Sequence, residues 1–258
     1  MTPEEFLAIE AHGEVLVFPV DMSVCSGTGS LFGGAASAAV VAAAEAVTGR
    51  AAVWTAVQFV RHVRPPASVT LAVDELARGR RASQVRVNGT VDGDEVFTAM
   101  VTTGWRPEEG EPIVLAKGPD VPAPEACPPR VLLERHRGSF MARADTRLAR
   151  AWPEAGRATD GRSSVWTRIP DLEPSAATLA IVADYVPFGV RQALGDGWAT
   201  HSLDITLRVL TRPASDWVLA DVAIDGIAGG FGHGQVHVWD QGGTLLAVAS
   251  QSFTCRPR

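Results

Sequence analysis

The stretch WTAVQFVRHVRP at residues 54–65 returns in outline as SLDITLRVLTRP at residues 202–213. Both stretches are rich in the apolar and β-branched residues that favour a strand, and both end in Arg-Pro, at Arg64-Pro65 and at Arg212-Pro213. The two Arg-Pro pairs are separated by 148 residues, position 212 against position 64. A weak repeat that keeps its order along the chain indicates two copies of one structural unit.

The segments after each Arg-Pro pair follow the same order in both halves. A β-rich run comes first, then a Gln-Val-x-Val strand, a turn rich in Gly and Asp, and a final apolar strand. These are residues 68–76, 84–87, 91–95 and 96–103 in the first half, and residues 216–224, 235–238, 240–244 and 246–253 in the second. Strands that follow one another without intervening helices predict an antiparallel sheet.

Each half also carries one long helix ahead of these strands. The Ala-rich run 35–47 stops at Gly49, and the apolar run 175–194 stops at Gly195. Good helix formers with a glycine just beyond the end support both helices. A further strand candidate precedes each helix, at residues 14–24 and 163–170. The predicted fold class is α+β, with an antiparallel sheet wrapped around a long helix in each of two tandem units.

A proline-rich segment separates the two halves. Residues 106–130 hold seven prolines, at positions 107, 112, 119, 122, 124, 128 and 129. Such a composition is typical of a semi-rigid linker. The predicted division is therefore an N-terminal unit at 1–105, a linker at 106–130 and a C-terminal unit at 131–258.

The composition is that of a globular protein with a substantial core. Of the 258 residues, 46% are hydrophobic and 20% are charged, which excludes the disordered, collagenous and coiled-coil classes. The formal net charge is -6, so nucleic acid is not expected as a partner, because phosphate binding requires a basic surface. An anionic ligand would need a local cluster of arginines.

The cysteines and the N-terminus bear on the cellular compartment. Cys25, Cys127 and Cys255 are scattered and lack metal-ligand spacing, which fits a reducing environment better than a disulfide scaffold. The N-terminus shows no secretory signal, and the longest apolar stretch, 31–44, is too short to span a bilayer. We therefore expect a cytoplasmic protein that does not insert into membranes.

Several short motifs, taken in order, resemble the acyl-CoA thioesterase II (TesB-like) family. They are Leu31-Phe32-Gly33-Gly34 at the start of the first helix, Arg64-Pro65, VDELARGRRAS at 73–83, Ala183-Asp184-Tyr185 with Pro187, Arg212-Pro213, and Val248-Ala249-Ser250-Gln251. The resemblance covers nearly the whole chain and implies a double hotdog fold. It also implies hydrolysis of acyl-CoA by an Asp, a Thr or Ser and a Gln that together hold a water, which are here Asp184, Ser202 and Gln251.

Two sites depart from the family pattern. Ala56 and Phe59 stand where the family often has a histidine, and Ala35 stands where the family has a glutamine after the paired glycines. The departures leave open a non-catalytic acyl-CoA binding protein of the same fold. The resemblance further implies that such chains can pair as a homodimer, and it implies no metal or redox cofactor.

Asp184 stands out from its surroundings without reference to any family. It interrupts the apolar run LAIVADYVPF at 179–188, and a buried carboxylate needs hydrogen-bond partners or a raised pKa. Pro187 removes the helical hydrogen bond to the Ala183 carbonyl, so the helix is predicted to kink beside this acid. Perturbed acids cluster at functional sites, which favours a functional role over an exposed helical position.

The other two members of the implied trio lie on predicted strands. Strand alternation places Gln251 on an apolar face with Ala249 and Phe253, where an unpaired amide would be costly. A hydrogen bond to a neighbouring loop backbone explains Gln251 equally well. Ser202 heads a cleanly alternating strand and shares a face with Asp204. That face is expected to meet solvent, so only the resemblance gives Ser202 a role.

Backbone amides and arginines are further candidates for binding the substrate. The amides of Gly33 and Gly34 at a helix N-terminus can polarise a thioester carbonyl, although a simple turn explains these glycines as well. Arginine binds phosphates through its forked donors. Arg64, Arg80 and Arg212 are therefore candidates for contact with coenzyme A.

The principal prediction is hydrolysis of an acyl-CoA to a free acid and coenzyme A, with Asp184 as general base or water-orienting group. An enoyl-CoA hydratase on the same fold is a less favoured hypothesis. It needs an Asp–His pair, and strand alternation turns His201 away from the face of Ser202. His233 and His237 lie ~13 Å apart on a strand, so they cannot hold one metal ion by themselves.

Overall fold

The computed structural model describes residues 1–106 and 112–258. Its α-helices are α1 (Pro3–Leu7), α2 (Gly33–Thr48), α3 (Ala176–Ala183) and α4 (Val186–Leu194). Its strands are β1 (Glu10–His12), β2 (Val15–Val20), β3 (Ala51–Phe59), β4 (Ala67–Arg78), β5 (Ala82–Val91), β6 (Asp94–Gly104), β7 (Asp145–Arg150), β8 (Arg162–Arg168), β9 (Trp198–Ser202), β10 (Asp204–Val209), β11 (Val218–Ala228), β12 (Phe231–Asp240) and β13 (Leu245–Pro257). Part of the predicted linker, residues 107–111 with Pro107, lies outside the described residues.

The strands form one antiparallel sheet whose order is the same from either edge. The order is β1-β2-β4-β5-β6-β3-β10-β13-β12-β11-β8-β7, and β9 pairs with β13 beside β10. Strands β3 and β10 pair at the centre, where Thr206 lies opposite Ala56. Outward from this seam β6 matches β13, β5 matches β12, β4 matches β11, β2 matches β8 and β1 matches β7. The predicted duplicated α+β arrangement is confirmed.

Helix α2 packs against the strands of the N-terminal half and against α3. Most of its buried side chains are alanines, among them Ala38, Ala39 and Ala43. Small side chains let neighbouring backbones approach closely, and Gly34 shows how closely. A Cβ atom at Gly34 would lie 2.5 Å from the carbonyl oxygen of Ile181. The N-terminal end of α2 therefore meets the C-terminal end of α3.

The second long helix is broken at Asp184. The sequence predicts one helix over 175–194 with a kink, whereas the structure has α3 and α4 with Asp184 and Tyr185 between them. Asp184 has φ -86° and ψ 34°, so it does not continue the helix. Pro187 accounts for the break, because it has no N–H for the Ala183 carbonyl and its ring clashes with the preceding turn. The disturbance predicted beside Asp184 is therefore present, and it is a two-residue break, larger than a kink.

The two repeated stretches begin as strands and end earlier than the sequence suggests. Strand β3 ends at Phe59 and β10 ends at Val209, so Arg64 and Arg212 lie beyond the strands. Both halves also carry an irregularity near the start of the stretch. The pairing of β3 shifts between Ala52 and Trp54, and Leu203 separates β9 from β10.

The described part of the proline-rich segment packs against the C-terminal half. Val114 and Val121 pack against an apolar cluster that contains Trp166, and the Trp166 indole N–H donates a hydrogen bond to the Pro122 carbonyl at 2.8 Å. The segment ends at β7, where the Arg130 N–H donates to the Thr146 carbonyl at 2.8 Å. These contacts fix the backbone position of Arg130.

Candidate active site

The carboxylate of Asp184 lies where the C-terminal end of α3 meets the N-terminal end of α2. Its Oδ2 accepts a hydrogen bond from the Gly34 N–H at 2.9 Å, and its Oδ1 accepts one from Ser202 Oγ at 3.0 Å. The Gln251 side-chain amide also donates to Oδ1, and the same amide donates to Ser202 Oγ at 2.7 Å. The three residues that the family resemblance singled out therefore converge on one another.

Burial sets the protonation behaviour of Asp184. The residue is 5% exposed, and burial raises the pKa of its carboxyl to about 6, against the opposing effect of the hydrogen bonds from Gln251, Ser202 and the Gly34 amide. At neutral pH the carboxylate is ionised and is basic enough to take a proton. A pKa near the working pH is what a general base requires.

The two glycines at the start of α2 make room for this carboxylate. A Cβ atom at Gly33 would lie 2.6 Å from Asp184 Oδ2, closer than any side chain tolerates. The Gly34 amide points at Asp184 and donates to it. The expectation that these amides stabilise an oxyanion is therefore not supported for Gly34, because its N–H already has an acceptor.

Ser202 does not behave as its strand pattern predicts. It is the last residue of β9, and Leu203 separates it from β10, so the alternation that begins at Asp204 does not extend to Ser202. Its hydroxyl turns inward to Asp184. The prediction of a solvent-facing Ser202 is wrong, because a strand irregularity resets the alternation.

Gln251 lies on the buried face of β13, as alternation predicts. It is 2% exposed, and its neighbours on that face, Ala249 and Phe253, are also buried. Its amide nitrogen donates hydrogen bonds to Asp184 and Ser202, while its amide oxygen accepts no hydrogen bond from the described residues. The alternative of a bond to a loop backbone is not what the structure shows.

A cavity of about 460 Å³ opens beside Asp184 and Ser202. Both halves of the chain contribute to its walls, which combine apolar and aromatic residues with polar and charged ones. The aromatic residues of the wall are Phe32, Phe59, Phe97, Tyr185, Phe188 and Trp198. The ring tip of Phe59 lies near Gly33, so the wall is apolar at that position.

Three histidines also line the cavity, and they are His62, His136 and His201. The rings of His62 and His201 are 5.0 Å apart, centroid to centroid. Both His201 and Ser202 border the cavity, and the expectation that strand alternation turns His201 away from the face of Ser202 stays a prediction. Burial, followed by the nearby His62 and Arg256, lowers the pKa of His201. No hydrogen bond joins His201 to Asp184 within the described residues.

The arginines expected to contact coenzyme A lie elsewhere. Arg80 lies in the β4–β5 turn, whose Gly79 carbonyl is bound by Arg50 just after α2. Arg212 lies close to Glu45 in the last turn of α2. That end of the 16-residue helix α2 is about 22 Å from Gly33 at 1.5 Å per residue.

Arg64, Arg80 and Arg212 are all absent from the cavity wall. The arginines in the wall are Arg61, Arg130, Arg135, Arg191 and Arg258. They come from distant parts of the chain, and no motif in the sequence marks them.

Within residues 1–106 and 112–258, no group of three His, Cys, Asp or Glu side chains is placed to hold a metal ion. No helix in the same residues combines the length and apolar character needed to cross a bilayer.

Family models match both halves of the chain. The model described as the acyl-CoA thioesterase N-terminal domain covers residues 22–104, and the acyl-CoA thioesterase C-terminal domain covers residues 124–254. The chain belongs to the acyl-CoA thioesterase family. It is thus a thioester hydrolase by family. No curated protein sequence matches it.

Solved structures agree with this family. A candidate thioesterase from Novosphingobium aromaticivorans is 33% identical, with 96% of this chain and 98% of that chain covered and a TM-score of 0.86. A hot dog fold protein of unknown function from Alicyclobacillus acidocaldarius is 22% identical, with 99% and 98% covered and a TM-score of 0.86. The acyl-CoA thioesterase II TesB2 from Mycobacterium marinum is 20% identical, with 99% and 98% covered and a TM-score of 0.76. The predicted double hotdog fold of this thioesterase-family chain is confirmed.

Proposed function

We propose that this chain hydrolyses an acyl-CoA thioester to a free acid and coenzyme A, with Asp184 as general base and with Ser202 and Gln251 holding the carboxylate and the attacking water. One observation carries the proposal. Side chains from a helix end, a strand end and a third element meet at Asp184 Oδ1, in the wall of a cavity with several aromatic side chains. A cavity of this character suits an acyl group.

The proposed step balances in atoms and charge. The oxygen of the water forms a bond to the carbonyl carbon of the thioester while one of its protons passes to Asp184. The carbon–sulfur bond then breaks, and the proton on Asp184 passes to the departing sulfur of coenzyme A. The second proton of the water stays with the acid, and Asp184 returns to its ionised state.

Ser202 and Gln251 act on the base in this scheme. Their hydrogen bonds fix one oxygen of Asp184, and the Gly34 amide holds the other. A carboxylate held by donors keeps one orientation, so less reorganisation is needed when the water loses its proton. The bound donors also limit how far burial raises the pKa, which keeps the base ionised at neutral pH.

Release of free thiol from a panel of acyl-CoAs, short to long and aromatic, tests the proposal. We expect wild-type turnover to fall by at least ~100-fold in Asp184→Asn, at the lower end of what positioned acid–base groups contribute. Glu45→Gln is the matched control, because Glu45 is also a carboxylate whose pKa is raised by burial but lies at the far end of α2 from the cavity.

Two outcomes would contradict the proposal. Unchanged turnover in Asp184→Asn removes Asp184 as the base. If the wild-type protein releases no thiol while an acyl-CoA still raises its melting temperature, the protein binds acyl-CoA without catalysis. This is the alternative raised by Ala35 and by the missing histidine.

A further inference from the structure

Arg130 places its guanidinium in the cavity wall beside apolar side chains. Its Cζ lies 5.1 Å from the centre of the Phe188 ring, and its Nη1 lies 3.9 Å from Met141 Sδ. Within the described residues no carboxylate comes within 4.0 Å of it. Its backbone is fixed by the hydrogen bond to Thr146, so the side chain is held at the wall and is not a free surface arginine.

The wall as a whole carries an excess of positive charge. Among residues 1–106 and 112–258, it contains the five arginines already named and two aspartates, Asp184 and Asp196. Both aspartates are occupied, since Asp184 accepts three hydrogen bonds within the site and Asp196 pairs with Arg191 at 2.7 Å. The complete chain has a net charge of -6, so composition alone does not account for this concentration of arginines.

The position of Arg130 is unfavourable for a cation in the free protein. Burial, followed by the like charges of Arg191 and Arg135, lowers the pKa of its guanidinium, against the opposing effect of Tyr185. Arginine nevertheless stays charged in proteins, and a partly buried charge is normally paired. Stacking on Phe188 offsets part of this cost, but it supplies no opposite charge.

We propose that Arg130 binds an anionic group of the thioester substrate, a carboxylate or a phosphate, inside the cavity. The inference rests on the proposed thioesterase function and narrows its substrates to those that bring a negative charge to Arg130. Two sources have this chemistry: a carboxylate at the far end of the acyl group, and the phosphates of coenzyme A. The planar fork of arginine matches both groups with paired hydrogen bonds.

The arrangement of the arginines separates these two sources. Arg135 and Arg258 are exposed, whereas Arg130 is partly buried and lies beside Phe188 and Met141 in the wall. The exposed arginines are accessible to the bulky nucleotide of coenzyme A. A small carboxylate on the acyl chain is the group that reaches Arg130 most readily.

Matched thioesters test the inference. Hexanoyl-CoA and adipyl-CoA have the same chain length and differ by one terminal carboxylate, and the corresponding N-acetylcysteamine thioesters lack the phosphates of coenzyme A. The variants are Arg130→Met and Arg130→Lys, and Arg208→Met is the control, because Arg208 is exposed on β10 and absent from the cavity wall.

If an acyl carboxylate binds, Arg130→Met lowers kcat/KM for adipyl-CoA by about 10-fold or more, as expected for a charge-assisted hydrogen bond, and changes hexanoyl-CoA little. If a phosphate binds, Arg130→Met lowers kcat/KM equally for the two CoA thioesters and leaves kcat/KM unchanged for the two N-acetylcysteamine thioesters. Arg130→Lys keeps the charge but loses the forked guanidinium, so its kcat/KM should lie between the values of wild type and Arg130→Met. An equal loss for all four thioesters, or no loss for any, overturns the inference.

Failure of the thioesterase proposal is distinguishable from failure of this one. If the wild-type protein releases no thiol, the melting temperature is measured with adipyl-CoA, hexanoyl-CoA and free coenzyme A. A rise in melting temperature with an anionic ligand that Arg130→Met removes and Arg208→Met keeps supports the anion site. The same rise in all three proteins refutes it.

Discussion

The two ends of α2 each hold a carboxylate with a pKa raised by burial, yet they are built differently. At the N-terminal end, Asp184 receives a hydroxyl, a side-chain amide and a backbone N–H, and it borders the cavity. At the C-terminal end, Glu45 receives the Ala52 N–H at 2.6 Å. Burial raises the pKa of Glu45, while Ala52 and then Arg212 oppose the rise.

Strand pairing identifies the residues of the N-terminal half that match Ser202 and Gln251. Position 253 opposes 202 as position 103 opposes 52, so Ala52 stands in the place of Ser202. By the same register Val101 stands in the place of Gln251, and Val101 is fully buried. Asp184 thus meets two polar side chains, whereas Glu45 receives a backbone N–H and lies near Arg212.

The comparison shows what a candidate site needs in this fold. A carboxylate of raised pKa occurs at both ends of α2, so it does not by itself mark a site. The N-terminal end adds two polar side chains, a break between α3 and α4 at which the acid lies, and a cavity that a ligand can enter. The duplicated fold carries this full set of features at that end.

The largest effect that we expect is on the pH dependence of the free energy of unfolding, compared between Asp184→Asn and wild type. A carboxyl whose pKa rises from 3.8 to about 6 on folding stabilises the fold fully below pH 3.8, and this contribution is lost as the pH rises through 6. The loss is about 3 kcal/mol at 1.36 kcal/mol per pKa unit. The free energy of unfolding of Asp184→Asn should therefore rise relative to wild type by about that amount between pH 4 and pH 7.

Urea unfolding at a series of pH values measures this difference. Asparagine fits the site because the Gln251 amide can rotate and offer its unused oxygen to the new N–H group. Glu45→Gln should show a change of the same sign, since the pKa of Glu45 is also raised. Parallel stability curves for wild type and Asp184→Asn would show that Asp184 is not perturbed by folding.

Giving the C-terminal half the residues of its partner half should weaken the site. Gln251→Val copies Val101, and Ser202→Ala copies Ala52. Each change removes a donor that orients the base but leaves the base in place, so we expect kcat to fall by about 30-fold in each, less than the ~100-fold or more contributed by a positioned acid–base group itself. Gln84→Val is the control, because Gln84 is an exposed glutamine on β5. Turnover that survives both changes would mean that Asp184 needs neither donor.

The pH dependence of the reaction tests whether the raised pKa serves catalysis. The base must be ionised, so kcat/KM should be level above pH 7 and should fall tenfold for each pH unit well below the pKa of about 6. A thiol assay that does not depend on pH, such as separation of coenzyme A by chromatography, measures the profile. A flat profile from pH 5 to pH 8 would break the link between the buried acid and the reaction.

Local patterns were enough to predict much of this molecule. The order of strands, the helix α2 with its terminal glycine and the burial of Gln251 follow from residue periodicity, propensity and turn residues within short windows. Asp184 was recognisable because an acid amid apolar residues is rare and because Pro187 disturbs the helix. These features depend on neighbours in the chain, which the sequence displays directly.

Predictions that depended on distant neighbours fared worse. Ser202 was expected to face solvent, but the irregularity at Leu203, which is set by pairing with other strands, turns it inward. Arg80 and Arg212 are candidates on local sequence, and packing places them at the end of α2 that is distant from the cavity.

The sequence by itself determined two copies of an α+β unit and an acid that breaks a helix, because periodicity and the chemistry of proline act over a few residues. Only the tertiary structure decided which groups meet that acid and which arginines surround the cavity. Arg130 and Arg191 reach one wall from separate elements, and the antiparallel seam of β3 with β10 fixes where the two halves join. Such meetings are set by the packing of whole elements, which no short stretch of sequence contains.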